Sequence, residues 1–134
     1  MTSRISATTI DSHDAFALST WWKQVLGYTD DPADPDGSNQ PGQEDCMIMD
    51  SSGTHRLLFQ TVRDVKQVKN RIHFDIAPTD RRRDAEVERV LALGATQVAD
   101  HRNPDGTGWV VLADPEGNEF CILRSDEERA LTAG

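Results

Sequence analysis

The chain has 134 residues and a formal net charge of -9, from 23 acidic against 14 basic side chains. That length supports a single domain with a real core, and the negative field argues against nucleic acid or an anionic membrane as partner. No apolar run approaches the roughly 18 residues of a membrane span and no apolar leader follows Met1. Cys46 and Cys121 are therefore read as free thiols of a reducing cytoplasm.

Residues 4–10 carry β-branched Ile5, Thr8, Thr9 and Ile10 and predict a first strand. Ser12 offers an N-cap oxygen to a helix with an apolar stripe of Ala15, Leu18, Trp22, Val25 and Leu26, stopped by Gly27. Trp21 and Trp22 are expected to pack in the core rather than to stack on a ligand. Residues 28–45 contain five Asp and three Pro and almost nothing apolar after Tyr28, the composition of a solvated loop. Residues 46–49 and 56–62 read as strands around a turn at 50–54, and 63–70 as a polar connector whose Lys66 and Lys69 belong to a wet face.

Residues 71–77 alternate, with Ile72, Phe74 and Ile76 on one face and His73, Asp75 and Ala77 on the other. Thr79 or Asp80 can cap a helix whose stripe is Val87, Val90 and Leu91 and whose end is Gly94, with Arg82 and Glu86 as an exposed i,i+4 pair. Residues 95–101 predict a strand and 102–108 a turn. The strongest local signal follows, a hairpin formed by Trp109-Val110-Val111-Leu112-Ala113, the turn Asp114-Pro115-Glu116-Gly117, and a strand ending at Leu123. Pro115 presets φ, Asp114 can bond the backbone ahead, and Gly117 supplies a positive φ. Residues 125–134 form a charged tail, partly helical or without fixed structure.

The elements repeat. Arg4-Ile5 and Arg71-Ile72 lie 67 positions apart, as do Leu26-Gly27 and Leu93-Gly94, while Gly53 and Gly117 lie 64 apart. The chain reads as an α+β fold of two βαβββ units, about 1–62 and 71–125, forming a curved, largely antiparallel sheet around a cavity.

The repeated order, LSTWWKQVLGY in the first helix, RIHFDI opening the second unit and WVVLADPEGNEFCIL closing it resemble the vicinal oxygen chelate superfamily, in its glyoxalase-like and bleomycin-resistance-like branch. The resemblance implies metal ligands near the start of each unit's first strand and on each last strand. These slots match Ser6, Leu57, His73 and Cys121. A divalent ion acting as Lewis acid needs about three protein donors; Leu57 has none and Ser6 is a poor one, so the expectation is no metal and no other cofactor. An unusual set drawn from His73, Asp75, Glu119 and Cys121 is the alternative, should their strands adjoin. His13, His55 and His101 fall at element edges and read as surface residues, and Cys121 reads as a small buried hydrophobe rather than a nucleophile.

The implied function is binding of a small organic molecule in a pocket that includes Ser6, Leu57, Phe59, His73, Asp75, Trp109, Glu119 and Cys121, where the chain's acidity suits a cationic ligand. The competing reading is an enzyme, a lyase, isomerase or dioxygenase-like protein, with His73 and Asp75 as catalytic groups or His73 as ligand of an atypical metal site. The resemblance also implies a homodimer.

Overall fold

The computed structural model describes residues 1–34 and 39–131, and the chain divides into two compact units, Met1–Val65 and Lys66–Gly134. The first contains β1 (Thr8–Ser12), α1 (Ala15–Leu26), β2 (Asp45–Met49) and β3 (Arg56–Thr61), with sheet order β1-β3-β2. β1 runs parallel to β3 and β2 antiparallel to it.

β1 starts four residues later than the β-branched run suggested, because Thr8 is the first residue with a partner on β3, and it continues through Ser12. Ser12 is thus a strand residue and not the N-cap. That role falls to Asp14, whose carboxylate accepts from the Ala17 N–H at 3.0 Å, while the Ser12 hydroxyl oxygen accepts from the Asp14 N–H at 3.1 Å. Gly27 closes α1 at φ 70°, as its missing Cβ permits. Trp22 and Leu18 are fully buried, and Trp21, also buried, meets Trp22 edge-on at 5.1 Å, so both indoles are core.

Where a third strand would follow α1, the described residues of the loop supply a single bridge, with Thr29 and Met49 exchanging both backbone hydrogen bonds at 2.8 and 2.9 Å. The next outward carbonyls of β2 are met by side-chain amides: Asn39 donates to Met47 O at 2.9 Å and Gln43 to Asp45 O at 2.7 Å. An Asp- and Pro-rich segment lacks both the side chains and the N–H groups for a longer ladder. Residues 35–38 of the expected 28–45 loop lie outside the described residues.

The second unit contains β4 (Phe74–Ile76), α2 (Arg83–Ala92), β5 (Thr96–Asp100), β6 (Val110–Ala113), β7 (Glu119–Ile122) and α3 (Asp126–Leu131), with sheet order β4-β7-β6-β5. β4 is parallel to β7; the other two ladders are antiparallel, with a bulge between Gln97 and Ala99. β4 is shorter than the alternation predicted: Ile72 is exposed rather than part of the core face, and only three residues pair with β7.

α2 starts after Arg82, past both expected caps. Asp80 instead pairs with the neighbouring Arg81 at 2.9 Å, and the first helical N–H, that of Arg83, donates to the carboxylate of Glu128 on α3. The anticipated Arg82–Glu86 surface pair does not form. Glu86 is buried and accepts from Arg89 at 2.6 and 2.9 Å, because its position turns inward. Arg83 is buried as well, and its Nη1 donates to the carbonyls of Gly106, Thr107 and Gly108 at 3.2, 2.9 and 3.0 Å. One guanidinium thereby satisfies three carbonyls of the 102–108 turn.

The final hairpin forms as its turn chemistry dictates. Asp114 Oδ1 accepts from the N–H groups of Glu116 and Asn118 at 2.9 and 3.0 Å, and Gly117 sits at φ 88°. The tail contains α3; residues 132–134 lie outside the described residues. Among the described residues no helix is long and apolar enough to cross a membrane.

Candidate functional site

The parallel register of β4 on β7 sets Phe74 against Phe120, Asp75 against Cys121 and Ile76 against Ile122. Paired residues share a face and neighbours along a strand alternate, so the second unit's sheet has two different sides. Val110, Leu112, Phe120 and Ile122 are fully buried with Val87 and Val90 of α2. Asp75, Cys121 and Val111 lie on the opposite side.

On that side one ligand atom each of His73, Asp75 and Cys121 falls within 4.8 Å of the other two. His73 Nδ1 stands 3.4 Å from Asp75 Oδ1; the two side chains are 45% and 53% exposed, whereas Cys121 is 7% exposed beneath them. The Cys121 thiol lies beside the Asp75 carboxylate. Burial pushes the thiol up to about 11, and the charge of Asp75 and hydrogen bonding to it add to the rise, with Glu119 contributing and Lys69 opposing. A thiol held this way is protonated at neutral pH and is no nucleophile.

Glu119 lies two positions before Cys121, yet its carboxylate is held by Lys69 Nζ at 2.8 and 3.2 Å, and its N–H donates to Asn70 Oδ1 at 3.1 Å. Of the four donors expected to converge, His73, Asp75 and Cys121 form the cluster and Glu119 is ion-paired beside it. Lys69 is the residue that sequence reasoning missed, since a lone lysine in a polar connector carries no signal of its partner.

The remaining expected pocket residues are placed differently. Ser6 is exposed, ahead of β1. Trp109 precedes β6, is 43% exposed, and lies against the His101 ring with centroids 5.0 Å apart. Leu57 and Phe59 are fully buried on β3 with Cys46 and Ile48, in the first unit's core beside α1.

This burial corrects the repeat alignment. The 64-residue step equates Leu57 with Cys121, but Leu57 and Phe59 share the buried character of Phe120 and Ile122, a step of 63. A one-residue slip exchanges the two faces of a strand. With the ladders kept in register, the first-unit counterparts of His73, Asp75 and Cys121 are Ala7, Thr9 and Leu58. The four-donor set that the resemblance implied does not fit this chain: Leu57 offers no donor atom and is committed to a closed apolar core, and its corrected counterpart Leu58 offers none either.

The mixed sheets, the parallel contact between first and last strand of each unit, and the polar cluster on the side of β7 opposite its buried core define a vicinal oxygen chelate fold. The profile of the glyoxalase-like domain matches residues 7–123, and the chain belongs to that family. Among solved structures it is similar to a glyoxalase/bleomycin resistance protein/dioxygenase family enzyme from Burkholderia phytofirmans, at 22% identity over 90% of this chain and 97% of that one, with TM-score 0.64. It is also similar to the fosfomycin resistance protein FosX from Listeria monocytogenes in complex with Mn(II) and sulfate, at 16% identity over 98% of both chains, TM-score 0.68. FosX from Mesorhizobium loti matches at 15% identity over 98% of this chain and all of that one, TM-score 0.64. The chain has no significant match among curated protein sequences.

Proposed function

We propose that the chain binds a small organic molecule on the cluster-bearing face of the second unit's sheet, with His73 and Asp75 as its polar contacts, and without the four-donor metal centre of metal-dependent relatives. The supporting observation is the contrast between the two sides of one sheet. One is a closed apolar core, while the other presents two exposed polar groups 3.4 Å apart over a buried thiol. A few placed polar groups over an apolar floor are what orient a small ligand. The family and the net charge of -9 support a small, cationic or partly aromatic molecule in a protein of the cytoplasm, acting as a homodimer.

The test uses chelator-treated protein. Native mass spectrometry identifies any co-purifying organic molecule, and a thermal-shift panel of small aromatic amines extends the search. Asp75→Asn and His73→Ala should each weaken the ligand found at least tenfold, about 1.4 kcal/mol. Native affinity in the double variant would refute the assignment.

A second reading is favoured by the 3.4 Å contact itself: a carboxylate at Nδ1 fixes the imidazole tautomer and leaves Nε2 to accept a proton, the arrangement of a general base. In an isomerase or lyase of this kind, His73→Ala abolishes turnover while substrate affinity is largely kept. Undiminished kcat in that variant would remove this reading.

A further inference from the structure

Resting on the binding face proposed above, we infer that Trp109, braced by His101, is its stacking platform, and that the ligand class is a flat aromatic ring joined to a cationic group that reaches Asp75. Val110 faces the core, so alternation sets Trp109 on the side of Val111, which also carries Cys121 and Asp75. The His101 N–H donates to the Trp109 carbonyl at 2.9 Å, extending the β5–β6 ladder to this pair. Trp109 lies two ladders across from Asp75 and two residues along, roughly 12 Å between backbones at strand spacings of about 4.8 Å and rises of about 3.3 Å. An arylalkylamine spans that gap once both side chains reach inward.

Exposure and rigidity set this indole apart. Trp21 and Trp22 are buried in the first unit's core, whereas Trp109 is 43% exposed. On a mobile loop such a group would lose much of its contact energy to ordering. Here the ordering precedes the ligand. The His101 ring lies against the indole at a centroid distance of 5.0 Å with 33° between planes. The turn before it is tied down by Arg83 at three carbonyls and by Asn103, whose amide donates to the Thr107 hydroxyl at 2.9 Å. Gly108 approaches the His101 carbonyl so closely that a Cβ does not fit. A large, rigid aromatic with an exposed surface is suited to stack a flat ring. Charge then selects among flat molecules: the π face of an indole attracts cations, and the half-exposed Asp75 carboxylate supplies an anion on the same side.

The probe is naphthylethylamine, with naphthylethanol as its uncharged counterpart and cyclohexylethylamine as a cation without an aromatic ring. Calorimetric titration of the full chain gives affinities, and the N–H resonances of the three indoles report contact. The naphthyl amine should bind about tenfold or more tighter than either comparator, and it should shift one indole resonance, the one that Trp109→Leu removes. Trp109→Leu should weaken this amine about tenfold while leaving the cyclohexyl amine unchanged, and Trp109→Phe should lose less because a ring remains. No binding of the naphthyl amine, an unshifted Trp109 resonance, equal affinity for the cyclohexyl amine, or native affinity in Trp109→Leu would each overturn the platform. The proposed binding face fails separately. If Trp109→Leu weakens the amine but His73→Ala with Asp75→Asn does not, the platform stands while its Asp75 end and the polar contacts proposed above are lost; the reverse pattern removes the platform alone.

Discussion

Asp75 on β4 faces Cys121 on β7 across a parallel ladder, and its carboxylate stands within 4.8 Å of the buried thiol. A half-exposed anion and a buried acid are thereby coupled by backbone register rather than by a loop.

In metal-free protein this coupling keeps Cys121 unreactive. With the thiol raised to about 11 from 9.0, alkylation at pH 7.5, followed by peptide mapping, should leave Cys121 unmodified in the native state. Asp75→Asn removes a charge and an acceptor that both raise the value, so Cys121 alkylation should then accelerate at pH 8–9. The linked stability follows the same sign: a raised folded value contributes stability that is complete below pH 9 and is lost as pH climbs toward about 11. Urea midpoints across that range should fall less for Cys121→Ala than for the native chain.

Asp100 gives the opposite pH dependence. Arg102 binds its carboxylate through Nε at 3.0 Å and Nη2 at 2.8 Å, and the Arg102 N–H adds a third bond, lowering Asp100 to about 2. A depressed carboxylate contributes stability that is present above its unfolded value of 3.8 and disappears as pH falls through about 2. Asp100→Asn should therefore be less stable than the native chain at pH 6 and indistinguishable from it near pH 2, as read by denaturant unfolding. An NMR titration should place the native midpoint near 2.

Gly108 and Gly117 both have positive φ, 94° and 88°, but only Gly108 is also sterically closed. A Cβ there would stand 2.0 Å from the backbone oxygen of His101, whereas at Gly117 it meets nothing within 4 Å. Gly108→Ala should cost about 3 kcal/mol or more, adding a backbone clash to conformational strain, and Gly117→Ala about 1 kcal/mol from strain alone. Equal losses in thermal unfolding would contradict this difference.

Arg83→Ala should cost about 3 kcal/mol, because it strands the carbonyls of Gly106 and Gly108 beside a buried guanidinium site and leaves Thr107 O with only the Asn103 N–H as donor. Arg83→Lys should recover only part of this, since an ammonium lacks the planar fork. Faster amide exchange across residues 102–108 in both variants is the accompanying sign.

Local chemistry was legible where a residue's role depends on its near neighbours: the Asp114–Gly117 turn, the Gly27 stop and the alternation of His73 and Asp75 all follow from spacing. What depends on distant partners was not. Nothing near Lys69 in the chain announces Glu119, fifty positions away, and nothing near Arg83 announces Glu128 as acceptor for its N–H. The site was partly readable for the same reason. His73 and Asp75 could be placed on one face from period two, whereas Cys121 joins them through a register that only the folded ladder sets. The counterpart of Cys121 in the first unit was misassigned by one position, an error too small to disturb the repeat and large enough to reverse a face.

The single Thr29 bridge and the two amides on β2 have a bearing on solution behaviour. An edge strand with vacant carbonyls is a template for a stray chain. Met49 is taken by Thr29, Met47 by Asn39 and Asp45 by Gln43, so every second residue along that rim already has an acceptor filled. Thr29, Asn39 and Gln43, from an acidic and proline-rich segment, thus guard the border that a further strand would have occupied, and they resist intermolecular β-extension there.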